Sequence, residues 1–130
     1  MVLSAGAGVT LKQAIPNIFV KDFQAALAYY VGPLGFRTLF AYGNVPFYAH
    51  VARDDAVLAI RHVDRPVIDR SAGEDLLSAF IEVSDVSALY QQLRTAGARI
   101  RQVPRDEPWG MRSMIVGDLD DNLICFASNL

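Results

Sequence analysis

The side chains that could do chemistry are few and lie far apart in the sequence. His50 and His62 are the only histidines, and Cys125 is the only cysteine. A transition-metal site needs three or more imidazole, carboxylate or thiolate ligands that converge. The histidines are therefore either a stray metal-binding pair or hydrogen-bonded strand residues, and the second interpretation is favoured. Cys125 has no partner base in a recognisable arrangement, which favours a small buried side chain over a nucleophile.

Trp109 is the only tryptophan, and it lies in a Pro-Trp-Gly sequence directly after two acidic residues, Asp106 and Glu107. A core position is hard to arrange in such a loop. Trp109 is therefore either a platform for a ligand or a side chain that packs at an edge. A flat ring beside carboxylates would suit a planar cation, with a cation–π contribution of roughly 0.5–2 kcal/mol.

The composition excludes several classes of protein. The chain has 130 residues, 12 basic and 14 acidic, and a net charge of −2, so a nucleic-acid partner is not expected. A single cysteine excludes an internal disulfide, and a reducing cytoplasm is the default location. Residues 1–8 lack the basic start and long apolar core of a signal peptide, and no membrane partner is expected.

The elements that must position these residues form a repeat. We predict a strand over 14–20, a helix capped by Asp22, and strands over 37–42, 46–52 and 56–63. The same order recurs with a helix after Asp85 and strands over 99–103, 112–116 and 123–127. Val83 lies 63 positions after Val20, which indicates a duplicated βαβββ unit. The predicted division is an arm over 1–13, a first module over 14–63, a linker over 64–75 and a second module over 76–130.

Residues 108–126 read as a loop, a strand, a tight turn and a second strand. The hairpin resembles the signature of the glyoxalase, bleomycin-resistance and extradiol-dioxygenase superfamily, the vicinal oxygen chelate proteins. In that pattern Leu119 replaces a proline and Asp121 replaces a glycine, and aspartate tolerates the left-handed backbone that the turn needs. The resemblance extends over 14–126, including Leu34-Gly35-Phe36 and the two strand-Asp-helix openings over 16–30 and 80–93.

The resemblance implies an α+β fold in which two βαβββ modules form curled mixed sheets around a cup, with the helices outside. Enzymes of the superfamily hold a divalent metal with His and Glu from the first and last strands of each module. The matching positions here are Ile15, Ala59, Ser78 and Cys125. None is His or Glu, so we predict no metal, no other cofactor and no catalytic residue.

What remains in the cup is an apolar and aromatic lining with a few polar anchors, which is typical of a small-molecule site. Strand alternation also turns Asn17, Val57, Ala59 and Phe80 inward, whereas Phe40 and Tyr48 are assigned to the core. Arg61 would repel a cation and could instead pair with a carboxylate or phosphate. The predicted ligand-binding residues are Phe19, Tyr42, Phe47, Arg61, Ser78, Trp109, Met111, Ser113 and Cys125.

The resemblance is closest to the bleomycin-resistance type, whose members bind a cationic antibiotic in grooves between two subunits. We therefore expect a cytoplasmic, metal-free homodimer that sequesters a partly aromatic small molecule. The alternative is a lyase, isomerase or dioxygenase with a displaced metal site, or a metal-free enzyme that uses Arg61 or His62. A third possibility is an interaction module. Residues 1–11 are predicted to be an arm exchanged between subunits.

Overall fold

The computed structural model describes residues 8–130. These residues form two four-stranded sheets, two α-helices and a short 3-10 helix, Arg70–Ala72, in the connection between the modules. The first module contains β1 (Asn17–Val20), α1 (Phe23–Val31), β2 (Arg37–Tyr42), β3 (Tyr48–Arg53) and β4 (Ala56–His62). The second contains β5 (Ala79–Glu82), α2 (Val86–Thr95), β6 (Arg99–Asp106), β7 (Met111–Gly117) and β8 (Leu123–Asn129). The α+β class and the repeated βαβββ unit are confirmed, whereas residues 1–7 of the predicted arm lie outside the described residues.

The two sheets have the same topology. Their strand orders are β1-β4-β3-β2 and β5-β8-β7-β6, and in each sheet the first strand pairs in parallel with the last. The other neighbours are antiparallel. A parallel pair needs a crossover connection, and the helix and two strands between its members supply it.

Both helices begin at an aspartate that was identified from the sequence. The Asp22 carboxylate accepts a hydrogen bond from the Ala25 amide at 3.1 Å, and Asp85 accepts one from Ala88 at 3.0 Å. Each bond satisfies an amide that has no partner within the helix. The helices therefore start at equivalent points of the two modules, directly after β1 and β5.

One hydrophobic core serves both modules. It joins side chains of both helices to alternate residues of the inner strands, among them Tyr30, Ile60, Leu93, Met114 and Phe126. The helix-covered faces of the two sheets therefore meet in this core, and the opposite faces point away from it. As expected, neither helix lies on an open face. The expected cup is not closed within one chain, because each module contributes one open face and the two faces are separate.

A buried turn joins the second module to the first. The Asp118 carboxylate accepts hydrogen bonds from the Tyr30 hydroxyl at 2.8 Å, the Asn122 side chain at 2.9 Å, and the amides of Asp120 and Asn122. The Asn122 side chain also donates to the Phe19 carbonyl at 3.0 Å. Because these partners are 88 and 103 residues apart in the sequence, the turn fixes one module against the other.

Strand ends depart from prediction where proline is involved. The first strand begins at Asn17 and not at 14, directly after Pro16, which cannot donate to a ladder. Strand β6 runs to Asp106 and not to 103, and it contains Pro104. It is the outer strand of its sheet and has register shifts, two settings in which proline is tolerated.

Candidate functional site

The open face of the first sheet, called here the first face, carries two rows of side chains that run across all four strands. The register places Phe19, Arg61, Tyr48 and Tyr42 side by side in one row. The neighbouring row consists of Asn17, Ala59, His50 and Phe40. Because side chains alternate between the faces of a strand, every member of both rows projects away from the shared core.

Three rings of the first face form a cluster. The ring centroids of Phe40 and His50 are 4.6 Å apart, and those of Phe40 and Tyr48 are 6.1 Å apart. The Tyr48 hydroxyl and His50 Nε2 share a hydrogen bond of 2.9 Å. Phe40 is 45% exposed, so its assignment to the core is wrong, and Tyr48 lies half-buried on the same open face.

The rim of the first face is formed by Tyr42 and Phe47, whose rings meet edge to face at a centroid distance of 5.7 Å. The tight turn between β2 and β3 contains Gly43, which has a φ of +109°. Beyond Phe47 lies a groove of about 580 Å³, lined by Lys21, Asp22, Phe23, Gln24, Val45, Pro46 and His62. The rim is therefore apolar and continuous with a surface depression.

The open face of the second sheet, called here the second face, carries Ser78, Phe80, Met111, Ser113 and Cys125. Phe80 and Cys125 are register partners on β5 and β8, and Phe80 is 53% exposed. Ser113 and Cys125 are buried among their neighbours, and Ser78 donates a hydrogen bond to the Asn122 side chain at 3.3 Å. This face therefore mixes small and polar side chains with apolar ones, namely Met111, Ile115 and the exposed ring of Phe80.

Glu107 belongs to the second face, whereas the sequence identified it only as a carboxylate beside Trp109. Its carboxylate accepts a hydrogen bond from the Ser113 hydroxyl at 2.8 Å and from Arg105 Nε at 3.1 Å. Burial first, and then the Glu107 charge, raises the pKa of the Cys125 thiol. Cys125 is therefore kept as a thiol at neutral pH, which agrees with the prediction of a buried, unreactive side chain.

Trp109 is 66% exposed in the loop between β6 and β7. The two carboxylates before it are already engaged, because Asp106 pairs with Arg112 at 2.7 Å and Glu107 with Arg105. The Arg112 guanidinium lowers the pKa of Asp106. A cation stacked on Trp109 would therefore have to compete with arginines for these carboxylates.

The four positions that match the superfamily's metal ligands do not fit a metal. Ile15 precedes β1 and Ala59 lies on β4, and neither side chain has a ligand atom, whereas Ser78 precedes β5 and Cys125 lies on β8. Between residues 8 and 130, no three His, Cys, Asp or Glu side chains are grouped so that they could hold an ion.

The histidines have separate partners. His50 bonds to Tyr48 on the first face, whereas His62 bonds to the Lys21 carbonyl at 2.8 Å and to Asp64 at 3.2 Å. The interpretation of both as hydrogen-bonded residues is confirmed.

The predicted ligand-binding residues fall into two groups. Phe19, Tyr42, Phe47 and Arg61 lie on or beside the first face, and Ser78, Trp109, Met111, Ser113 and Cys125 lie on or beside the second. One chain does not bring the groups together, because the faces point away from the core that the sheets share. A cavity of about 380 Å³ between the modules, lined by residues such as Asp54 and Leu89, contains none of them.

No helix in the described part of the chain has the length and apolarity needed to cross a bilayer.

Solved structures with the same fold include three of particular interest. TioX from Micromonospora sp. ML1 is 26% identical, with a TM-score of 0.73 and coverage of 92% of this chain and 99% of that chain. The bleomycin-binding protein from bleomycin-producing Streptomyces verticillus, complexed with copper(II)-bleomycin, is 24% identical, with a TM-score of 0.75 and coverage of 94% and 99%. TnmS3, an antibiotic binding protein from Streptomyces sp. CB03234, is 24% identical, with a TM-score of 0.67 and coverage of 94% and 100%.

No curated protein sequence matches the chain significantly. The family model for the Glyoxalase/Bleomycin resistance protein/Dioxygenase superfamily matches residues 11–126. This match spans both modules and the turn between β7 and β8. The chain therefore belongs to the glyoxalase, bleomycin-resistance protein and dioxygenase superfamily.

Proposed function

We propose that the protein is a metal-free antibiotic-binding protein of the bleomycin-resistance type, located in the cytoplasm. Two copies form a homodimer, and a partly aromatic small molecule lies in the groove between them. The observation that carries this proposal is the exposure of large aromatic side chains on both open faces. Phe40 is 45% exposed, Phe80 53%, and Tyr42 and Trp109 66% each.

A dimer explains why these faces are open. Soluble monomers rarely expose large contiguous apolar surfaces, and such surfaces usually mark sites of interaction. In a two-fold dimer, the first face of each copy lies over the second face of its partner, which creates two identical grooves. Each groove then contains both groups of predicted ligand-binding residues, one group from each copy.

The chemistry of the lining supports binding over catalysis. Glu107 is engaged by Ser113 and Arg105, and burial keeps Cys125 protonated. Phe19, Tyr42 and Trp109 offer rings on which a flat molecule can stack, which is the usual makeup of a small-molecule site. The antibiotic-binding relatives TnmS3 and the bleomycin-binding protein, which share the fold, point in the same direction.

Titration of the purified protein with a panel of aromatic antibiotics tests ligand binding. Because Trp109 is the only tryptophan, its fluorescence reports on one position at the rim of the second face. We expect saturable quenching with two ligands per dimer and loss of this signal, but not of calorimetric binding, in Trp109→Phe. Absence of both signals across the panel would remove the antibiotic-binding proposal.

Sedimentation tests the dimer. Phe80→Glu places a charge in the proposed subunit contact, so we expect a monomer with unchanged circular dichroism. The matched control is Val67→Glu, which alters an exposed side chain in the connection between the modules. A monomeric wild-type protein, or an unaffected Phe80→Glu dimer, would contradict the proposed assembly.

Elemental analysis tests the absence of a metal. We expect less than a stoichiometric amount of Ni, Zn, Fe or Mn in the dialysed protein. One equivalent per chain would favour the alternative, an enzyme with a displaced metal site.

A further inference from the structure

We infer that the ligand of the proposed groove is an aromatic anion whose acidic group pairs with Arg61. The inference rests on the proposed function and specifies the chemical class of the ligand. It starts from the position of one guanidinium among the rings of the first face.

Arg61 lies in the middle of the first face. Its strand, β4, is an inner strand, and its register partners are Phe19 on β1 and Tyr48 on β3. The side chain is exposed on the open side of the sheet. A ligand that stacks on either ring therefore comes within reach of the guanidinium.

The guanidinium has no partner within the described chain. Arg53 is satisfied by the Leu34 carbonyl and Gln92, and Arg70, Arg101, Arg105 and Arg112 each pair with a carboxylate. Arg61 forms no hydrogen bond or ion pair with any residue from 8 to 130, and the same is true of Arg37 at the edge of the first face. A charge that is covered without a partner is strongly unfavourable, so whatever covers the first face must supply an acceptor.

The second face offers few free acceptors. The Glu107 carboxylate, 10% exposed, is held by Ser113 and Arg105, and Asp106 is held by Arg112. Glu82 is the exception, because it is exposed at the end of β5 and has only a long contact of 3.5 Å with Asn129. The groove therefore combines guanidinium groups that are unpaired among residues 8–130, Arg61 in the middle of the first face and Arg37 at its edge, with carboxylates that are largely neutralised, and this balance favours an anion over a cation.

A carboxylate fits this environment better than other acceptors. Arginine binds carboxylates through two parallel hydrogen bonds, and its planar group also stacks on aromatic rings. A cationic ligand would instead be repelled by Arg61. The ligand class is thus a flat aromatic ring system that carries a carboxylate or an equivalent acidic group.

Calorimetric titration with three matched probes tests the inference: anthraquinone-2-carboxylate, anthraquinone-2-carboxamide and 2-(aminomethyl)anthraquinone. They share a ring system and differ in charge. We expect the carboxylate to bind wild-type protein at least about tenfold more tightly than the carboxamide, and the amine most weakly. In Arg61→Gln the preference for the carboxylate is lost while binding of the carboxamide persists. Arg65→Gln, an exposed arginine in the connection between modules, is the control that keeps the preference.

Three outcomes overturn the inference in distinguishable ways. Equal or tighter binding of the carboxamide or the amine removes the anionic class and leaves the proposed function intact. Failure of all three probes and of the antibiotic panel removes both. Dissociation of the Arg61→Gln dimer, seen by sedimentation and reproduced by Glu82→Gln, would make the partner copy's Glu82 the acceptor.

Discussion

Asp118 shows what a single buried carboxyl group contributes to this fold. Desolvation raises its pKa above the ordinary value of 3.8, although the hydrogen bonds from Tyr30, Asn122 and the turn amides act in the opposite direction. The same burial, together with the Asp118 charge, raises the pKa of Tyr30. The pair therefore remains hydrogen-bonded through the neutral pH range, and its contribution to stability depends on pH.

The sign of this dependence follows from the raised pKa. The folded state holds the Asp118 proton more tightly than the unfolded state, so its contribution is complete below 3.8 and is lost as pH rises through the raised pKa. We expect the free energy of unfolding of wild type, minus that of Asp118→Asn, to fall in urea titrations as pH rises above 3.8.

The control for this pH dependence is Asp106→Asn. Arg112 lowers the pKa of Asp106, so the stability that this carboxylate adds is complete above 3.8 and is lost only at lower pH. The difference in free energy of unfolding between wild type and Asp106→Asn is therefore expected to stay constant over the same pH range. A flat profile for Asp118→Asn as well would contradict the raised pKa.

Asp121 carries a left-handed backbone, with a φ of +64°. A β-branched side chain pays about 1–2 kcal/mol in this region. Asp121→Val is therefore expected to lower the free energy of unfolding by about that amount, measured by urea denaturation. Asp121→Asn keeps the tolerance for this backbone and removes the exposed pair with Arg70, so it is expected to change little. Equal losses of stability in Asp121→Val and Asp121→Asn would mean that the lost ion pair with Arg70, and not the strained backbone, causes the effect.

The β2–β3 hairpin positions the rim of the first face through one glycine. A Cβ atom on Gly43 would lie 2.5 Å from Cδ1 of the Phe47 ring and 2.8 Å from the Val45 carbonyl oxygen. The edge-to-face pair of Tyr42 and Phe47 therefore depends on the missing side chain. The glycine in the turn thus determines where the aromatic pair at the rim of the proposed site can lie.

Gly43→Ala should lower the free energy of unfolding by more than about 2 kcal/mol, because an unfavourable φ adds to the steric clash. Near-ultraviolet circular dichroism should also change as the Tyr42–Phe47 pair separates. The control is Gly73→Ala, where φ is +83° and no described residue other than the chain neighbours lies within 4 Å of the new Cβ; it carries only the backbone cost of about 1–2 kcal/mol. If Gly43→Ala and Gly73→Ala lose the same stability, the Phe47 ring moves aside at no cost and the prediction is wrong.

Local signals in the sequence were enough to predict most elements. The caps Asp22 and Asp85 and the left-handed Asp121 each depend on residues close together in the chain, and the duplicated order is the recurrence of such local signals about 63 residues later. The exposure of Phe40 could not be predicted in the same way, because a phenylalanine in a strand suits a core face and an open face equally well. Which face is covered is decided by the packing of the two modules, and that packing is not local.

At the scale of the whole molecule, the two modules depend on a single core. Tyr30 and Ile60 from the first module and Phe126 from the second belong to the same cluster. The sequence predicted the lining residues of the two faces by alternation. It could not show that the faces point apart in one chain, because strand periodicity gives the face of each side chain but not the relative orientation of two sheets. The proposed dimer brings the two groups of lining residues together, because the first face of one copy lies over the second face of the other.

Because of the shared core, a fragment spanning residues 8–63 is expected not to fold alone. It lacks the Asp118 partner of Tyr30 and the apolar residues of β7 and β8. We expect no cooperative thermal transition and strong binding of the dye ANS. Mixing it with a fragment spanning residues 64–130 should restore a cooperative transition, since the contacts between the modules are non-covalent. A dispersed NMR spectrum from the first fragment alone would contradict this.

The turn that bonds to Tyr30 and Phe19 also determines when the first module can complete its folding during biosynthesis. A ribosome delivers β1 and α1 early, yet the acceptor for the Tyr30 hydroxyl and the donor for the Phe19 carbonyl arrive only with residues 118–122. Until then the nascent first module exposes apolar surface that chaperones can recognise. Slow codons anywhere before the end of β8 would therefore prolong the interval in which this surface is exposed, because β8 also contributes to the core.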